Sequence, residues 1–383
     1  MRPTKVLFLN TLGIIGGQEV VMLDIVRNLD RQRYSALAAM LVGGPLVDAL
    51  GTLGVRTHIL PPHRLRQPLR LALAIRSLSR LIAREHVDIV HCNGDSLLLY
   101  GALAVLFNRI PCIWHVYEPV AYRGSAYVRL LYETQRRLHP AWTIFGTAAV
   151  EDSYLSHYPT LGPHTPIMPG VDVAALTEGA DAERARQKLG LPPDAPLLLM
   201  IGRLQRSKGQ RELIEALALL SGARPEPHVV LCGGPPVMTD EGYEAELTEV
   251  ARANGVAARV HFTGHVSDAE KKDLLAAATL LVHPTHREAF GIAVIEGMAA
   301  GKAVVVTDSV GPKSIVEGSG AGEIVARRSV PELAAAIRRR LDDPEGSRRM
   351  GALGRERVLE RYSTQAMVGK VEQVYRAVLG APG

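Results

Sequence analysis

Three cysteines in 383 residues, Cys92, Cys112 and Cys232, are too few and too scattered for a disulfide framework or a spaced set of metal ligands. Each lies in an apolar, strand-like run, which reads as a reduced, cytosolic protein. Aromatic residues make up only 5% of the chain, so the cores must be built from Leu, Val, Ala and Ile. No aromatic platforms interleave with basic residues, so nucleic acid is not an expected partner. No apolar run is long enough to span a bilayer, and Met1 to Asn10 reads as a short strand rather than a signal peptide. No repeat or low-complexity tract occurs. The net charge of +5 sits in the first half: residues 1–168 carry 17 Lys+Arg against 11 Asp+Glu, and residues 169–383 carry 27 against 28.

An apolar fraction of 47% suffices for two cores, and the length suits two domains. Short apolar strands and helices alternate along the chain, the pattern of doubly wound parallel sheets. In the first half, Lys5–Leu9 reads as a strand, followed by Gly16-Gly17-Gln18-Glu19 and a helix over Val20–Leu29. Paired glycines let a backbone approach a phosphate. Further elements fall at Ala36–Val42, Pro68–Arg84, Val87–His91, Ser96–Phe107 and Cys112–His115. In Pro68–Arg84, Arg76, Arg80 and Arg84 recur at four-residue steps opposite Leu71, Ile75, Leu78 and Ile82. Such a face is usually solvated, and it also suits an anionic membrane surface. His115 ends its strand, where a side chain can touch ligand, with Glu118 just beyond.

The second half starts with the strand Leu197–Ile201, then Gly202-Arg203-Leu204-Gln205-Arg206-Ser207-Lys208-Gly209 and a helix to Leu220. Arg203 and Lys208 straddle a strand-to-helix turn and can clamp a diphosphate, one as a planar fork and one as a point charge. Farther on, Thr279–Val282 reads as a buried strand, and the helical pattern resumes at Ile292. Between them stand Glu288, Ala289, Phe290 and Gly291, and inside the helix stands Glu296. In open α/β sheets, ligands bind at the carboxyl ends of the strands. The amides of Phe290, Gly291 and Ile292 are expected to face an anion there, at a helix N-terminus. Carboxylates accepting from hydroxyls and amides donating to phosphate oxygens suit a ligand that carries both groups. The alternative for each acid is a solvated loop Glu288 and a capping Glu296.

Glu288, seven residues, then Glu296, with Phe-Gly between and Gly-Met-Ala-Ala-Gly after, resembles the signature of the family 4 glycosyltransferases. Those are retaining, nucleotide-sugar-dependent enzymes of the GT-B fold. The Gly-Arg…Lys-Gly run holding Arg203 and Lys208 is similar to a second motif of that family, and Gly16-Gly17-Gln18-Glu19 to a third. The resemblance implies an α/β chain of two Rossmann-like doubly wound parallel-sheet domains facing across a cleft. The expected domains are 1–168 for the acceptor, 169–361 for the nucleotide-sugar donor, and a C-terminal helix, 362–383, that crosses back to the first. It implies that Gly16 and Gly17 face the donor diphosphate and the acceptor, that His115 lies near the transferred sugar, and that Val266 edges the base. Glu288 would meet a hydroxyl of the sugar and Glu296 the ribose. Arg203 and Lys208 would stabilise the departing diphosphate, and with His115 and Glu288 they form the expected catalytic set. Two departures stand out. Pro169 takes the place of the usual Asn in Pro169-Gly170-Val171-Asp172, and Val310 and Ser314 replace the usual Gly and Glu of a donor-pocket loop.

Glu19, Asp95 and Glu118, near strand ends, are candidate acceptor contacts, and the basic Tyr122–His139 segment is expected to cover the acceptor mouth. No Asp-x-Asp occurs, and neither His261 with His265 nor His283 with His286 reads as a metal pair, so no metal and no cofactor beyond the donor are expected. The resulting expectation is a retaining transfer of a hexose or N-acetylhexosamine, with a UDP-sugar such as UDP-GlcNAc or UDP-Glc as donor. The acceptor would be a hydroxyl on a small molecule, cyclitol, aminocyclitol, glycan or lipid. A nucleotide-sugar epimerase or hydrolase on the same frame is the alternative, and a non-catalytic binding module the third. The expected location is the cytoplasm, with peripheral contact at the inner membrane face.

Overall fold

The computed structural model describes residues 2–11, 13–61, 68–94, 97–120, 137–138, 140–157, 161–222, 225–234 and 242–380. The chain divides into two compact units, Met1–Gly170 with Thr364–Gly383, and Val171–Ser363. The first holds a seven-stranded sheet: β1 (Thr4–Asn10), β2 (Tyr34–Met40), β3 (Thr57–Ile59), β4 (Ile89–Asn93), β5 (Cys112–Val116), β6 (Trp142–Phe145) and β7 (His164–Pro166). Its order is β3-β2-β1-β4-β5-β6-β7, and every pair is parallel.

The second unit holds β8 (Leu197–Ile201), β9 (His228–Cys232), β10 (Val260–Gly264), β11 (Leu280–His283), β12 (Ala303–Thr307) and β13 (Gly322–Val325). These run in the order β10-β9-β8-β11-β12-β13, again all parallel. Both units are therefore Rossmann-like. In each, the order reverses beside the first strand: between β1 and β4, and between β8 and β11.

The central strands are continuous apolar runs because helices cover both their faces. Leu197-Leu198-Leu199-Met200 in β8 and the whole of β12 are buried. Edge strands are weaker: every residue of β10 is half-buried, and β13, which no sequence pattern marked, is a four-residue edge with a Gly at its start. Ahead of β8 stand two short helices, Val173–Thr177 and Ala182–Leu189, capped by the side chains of Asp172 and Asp181.

The C-terminal helix Thr364–Val378 packs on the first unit, against the helix Gly17–Asn28. Met367, Val368, Val371, Val374 and Tyr375 form its buried stripe. At about 1.5–3 kcal/mol for each fully buried large apolar side chain, that stripe is enough to hold the helix in place. The Glu372 carboxylate adds a hydrogen bond from the Asp30 amide at 3.0 Å.

Candidate functional site

In the second unit, the loops following β8 and β11 emerge on either side of the strand-order reversal. They are bonded to each other. Ser207 O accepts from Thr285 Oγ1 (3.1 Å) and from the His286 amide (2.8 Å). Gly209, at φ 83°, lies so close to Pro284 that a Cβ would stand 2.1 Å from the Pro284 carbonyl oxygen. Only glycine fits there, both for the left-handed backbone and for the space. Within the first loop, Leu204 is buried as an anchor, and Gln210 Nε2 donates to Arg203 O at 2.7 Å. The Arg203 side chain is exposed on this fixed backbone.

Glu288 is held by the next loop as well. Its amide donates to Ser309 Oγ (2.9 Å), and its carbonyl accepts from the Gly311 amide (3.0 Å). Its carboxylate receives Lys208 Nζ at 2.5 Å, with both side chains mostly buried. His283 Nε2 lies 3.7 Å away, near enough for electrostatic contact but too far for a hydrogen bond. Burial works to raise the Glu288 pKa, but the His283 ring and the Lys208 charge outweigh it and hold the carboxyl below its ordinary range. Glu288 is thus a fixed acceptor-only carboxylate, suited to receiving hydroxyls. Lys208 has three donors, of which Glu288 takes one.

Of the three amides expected to face an anion, that of Phe290 also has an acceptor within its own loop. The Phe290 amide turns to Glu288 Oε1, at 3.5 Å. Gly291, at φ 103°, caps the helix Ile292–Ala299, whose first turn supplies the amides that point out of the helix end.

Glu296 lies on that helix and is buried, 8% exposed. Its Oε1 accepts from Lys271 Nζ at 2.7 Å, a partner sequence reasoning missed. Lys271 belongs to the helix Asp268–Ala277, which opens with Ser267 and Glu270 capping each other. Burial alone would lower the Lys271 pKa, yet the Glu296 carboxylate raises it above the ordinary lysine value, so the ammonium persists. Val266 sits half-buried just before this helix, in the loop after β10. The site's charges are therefore Arg203, Lys208 and Lys271 against Glu288 and Glu296.

Three of the other histidines of this unit have partners of their own. His261 meets His228 across adjacent strands, Nε2 to Nδ1 at 2.9 Å, and His286 faces Glu212 at 2.8 Å. Among the described residues, no group of three or more His, Cys, Asp and Glu side chains could hold a metal ion.

In the first unit, Gly16 is the N-cap and Gly17 the first residue of the helix Gly17–Asn28. Glu19, expected to meet the acceptor, is buried and already engaged. Its carboxylate accepts from the Gly16 amide (3.0 Å), Gln18 Nε2 (2.7 Å) and Asn10 Nδ2 (3.4 Å). These bonds fix the Gly-rich loop at the end of β1. His115 is the penultimate residue of β5 and is buried, and Glu118 is exposed two residues past that strand. Asp95 lies outside the described residues, as does nearly all of the Tyr122–His139 segment.

Comparison with known proteins matches this geometry from both units. The family described as Glycosyltransferase Family 4 matches residues 15–175, and the one described as Glycosyl transferases group 1 matches residues 181–357. A glycogen synthase of Mycobacterium tuberculosis is 29% identical over 296 residues, 76% of this chain and 69% of that protein. A D-inositol 3-phosphate glycosyltransferase of Thermobispora bispora is 31% identical over 220 residues, 56% of this chain and 50% of that one. Among solved structures, Anabaena HepE in complex with UDP superposes with a TM-score of 0.86 at 22% identity, covering 98% of this chain and 100% of that one. A glycosyltransferase of Rickettsia africae reaches 0.88 at 18% identity, covering 99% of each. Two family matches spanning both units, over twin parallel sheets with a charged site at a strand-order reversal, place this chain among the family 4 type glycosyltransferases of the GT-B fold.

Proposed function

We propose that the chain transfers a hexose or N-acetylhexosamine from a UDP-sugar to an acceptor hydroxyl, with retention at the anomeric carbon. The observation that carries this reading is the Lys208–Glu288 pair at the β8/β11 reversal, with Arg203 on the same loop as Lys208. There, two cations suit a diphosphate and an ionised carboxylate suits a sugar hydroxyl. Glu296 takes the ribose hydroxyls through lone pairs that Lys271 leaves open, and Val266 edges the base. Anabaena HepE, which shares this fold, has been solved with UDP and with UDP-glucose, which supports the choice of nucleotide.

In the proposed step, the acceptor oxygen bonds to the anomeric carbon as the bond from that carbon to the β-phosphate oxygen breaks. The bonding electrons leave with UDP, and the acceptor proton passes to the departing phosphate. Arg203 and Lys208 stabilise the charge that develops there, so that the protein supplies this electrostatic work from its own side chains without a metal. Mass spectrometry of products from pooled hydroxyl acceptors with several nucleotide sugars tests the reading. A new glycoside with stoichiometric UDP supports it. Epimerised or hydrolysed donor with no glycoside, whatever the acceptor, favours the epimerase or hydrolase alternative.

Peripheral contact with an anionic membrane belongs to the same reading. On the helix Pro68–Glu85, Leu69 (82% exposed) and Leu73 (60%) stand among Arg70, Arg76, Arg80 and Arg84. The neighbouring helix Leu98–Leu106 ends in exposed Leu106 and Phe107. Exposed apolar side chains within a basic face are what an interfacial helix presents. No helix among the described residues is long and apolar enough to cross a membrane. Co-sedimentation with anionic but not neutral vesicles, lost in Leu69→Glu/Leu73→Glu, is the expected result. We assign the protein to the cytoplasm, where the unpaired thiols of Cys92, Cys112 and Cys232 remain reduced.

A further inference from the structure

His115 is the end of a buried chain of hydrogen bonds. Tyr375 OH lies 2.8 Å from His91 Nδ1, and His91 Nε2 lies 3.1 Å from His115 Nδ1. His115 Nε2 is buried with no partner among the described residues. All three side chains are at most 1% exposed. The His115 ring is fixed from the side by stacking on Tyr117, centroids 4.3 Å apart, and the Tyr117 hydroxyl donates to Asn93 Oδ1.

The direction of this chain follows from donor and acceptor counts. Both imidazoles are neutral: burial depresses His91 to about 3, and burial together with the neighbouring His91 holds His115 well below its ordinary value. Each ring therefore carries one N–H and one bare nitrogen. Tyr375 is wholly buried, and His91 Nδ1 is the one acceptor for its hydroxyl among the described residues. Either direction leaves one free donor, the Tyr375 O–H or the His115 Nε2–H; sending the buried phenol's proton to its one acceptor puts the free donor at His115, the end where a ligand oxygen can accept it. His91 Nδ1 then accepts, so His91 carries its proton on Nε2 and donates to His115 Nδ1. His115 in turn must carry its proton on Nε2.

We propose that Tyr375 and His91 are positioning residues that fix His115 as the Nε2–H tautomer, so that His115 meets its ligand as a hydrogen-bond donor. The ligand atom it selects is an oxygen acceptor, a hydroxyl or phosphate oxygen, and the role excludes His115 as a general base. The C-terminal helix, which supplies Tyr375, thereby takes part in the chemistry from 284 positions away in sequence from His91. This proposal rests on the reading that His115 faces the ligand.

The test is two-bond ¹H–¹⁵N correlation of the histidine rings in the full-length protein at neutral pH, with signals assigned by loss in His91→Gln and His115→Gln. The expected spectrum shows Nε2–H for both rings in the wild type. In Tyr375→Phe, which removes one oxygen and keeps the ring, His115 should become a mixture of tautomers. Its kcat should then fall roughly three- to tenfold, with donor KM little changed. An Nδ1–H His115 in the wild type, or a Tyr375→Phe protein with unchanged tautomer and kcat, would overturn the relay. The underlying reading fails differently: His115→Leu with wild-type kcat removes His115 from the ligand, and with it this proposal, even if the tautomers are as expected.

Discussion

Lys208 Nζ touches Glu288 Oε2 at 2.5 Å, joining the loop after β8 to the loop after β11 across the strand-order reversal. The pair leaves two ammonium protons of Lys208 for the proposed diphosphate while keeping Glu288 ionised. Arg203 stands on the same loop with an exposed side chain, its carbonyl accepting from Gln210 Nε2.

Lys208→Met and Arg203→Met are therefore expected to lower kcat more than they raise donor KM, because their charge matters most as the diphosphate leaves. Losing one such charge-assisted contact should reduce kcat/KM by roughly ten- to a hundredfold. Steady-state kinetics with a UDP-sugar check this. A raised KM with kcat untouched would assign both residues to uniform binding. Activity should also survive EDTA, and its loss with recovery on adding Mn²⁺ or Mg²⁺ would contradict a charge supply from the protein alone.

Glu296 and Lys271 form the second pair, 2.7 Å apart and largely buried. Glu296→Ala would strand the Lys271 ammonium and lower stability as well as affinity, so the isosteric Glu296→Gln is the cleaner change. It should weaken UDP and UDP-sugar alike by about 1.5–3 kcal/mol, read by calorimetry. Lys271→Met should lower the melting temperature with a smaller effect on UDP. Unchanged UDP affinity in folded Glu296→Gln would remove Glu296 from the ribose.

How far the sequence revealed all this depended on burial. β8 and β11 were legible because helices cover both faces, which leaves an uninterrupted apolar run. β13 was not, since a four-residue edge strand that is half exposed has no such run. At the site, Arg203, Lys208 and Glu288 announced themselves as charges in loops at strand ends. Lys271 did not: within Asp268-Ala-Glu-Lys-Lys-Asp it looks like any solvated helix, and only the fold brings Glu296, 25 positions away, against it. The same holds for His91 and Tyr375, whose relationship exists only once the last helix packs on the first unit. Glu19 shows the converse, a charge that looked available and is consumed in capping its own helix.

Stability should fall on acidification well before ordinary carboxylates titrate. His91 takes a proton at about 3 in the fold and near 6.5 when unfolded, so the unfolded chain binds more protons between those values. Stability is then full above about pH 6.5 and is lost progressively as the pH drops towards 3. Glu288, whose carboxyl is held low, adds to the loss from the ordinary carboxylate range downwards. Melting temperatures from pH 8 to pH 4 should decline from about pH 6.5 downwards, less steeply in His91→Gln. A flat profile down to pH 5 would contradict the depressed His91.

Glu288 is the one group proposed for the sugar and for no part of the nucleotide. Calorimetry of wild type and Glu288→Gln with UDP and with a UDP-sugar, alongside melting curves, isolates it. The expected result is nearly unchanged UDP affinity, with a loss of roughly 1–3 kcal/mol for the sugar-bearing donor or in kcat/KM. Equal losses for both ligands with a lowered melting temperature would make Glu288 a scaffold for its loop, and no loss for either would make it a partner of Lys208 with no part in binding. Either outcome would contradict the sugar site.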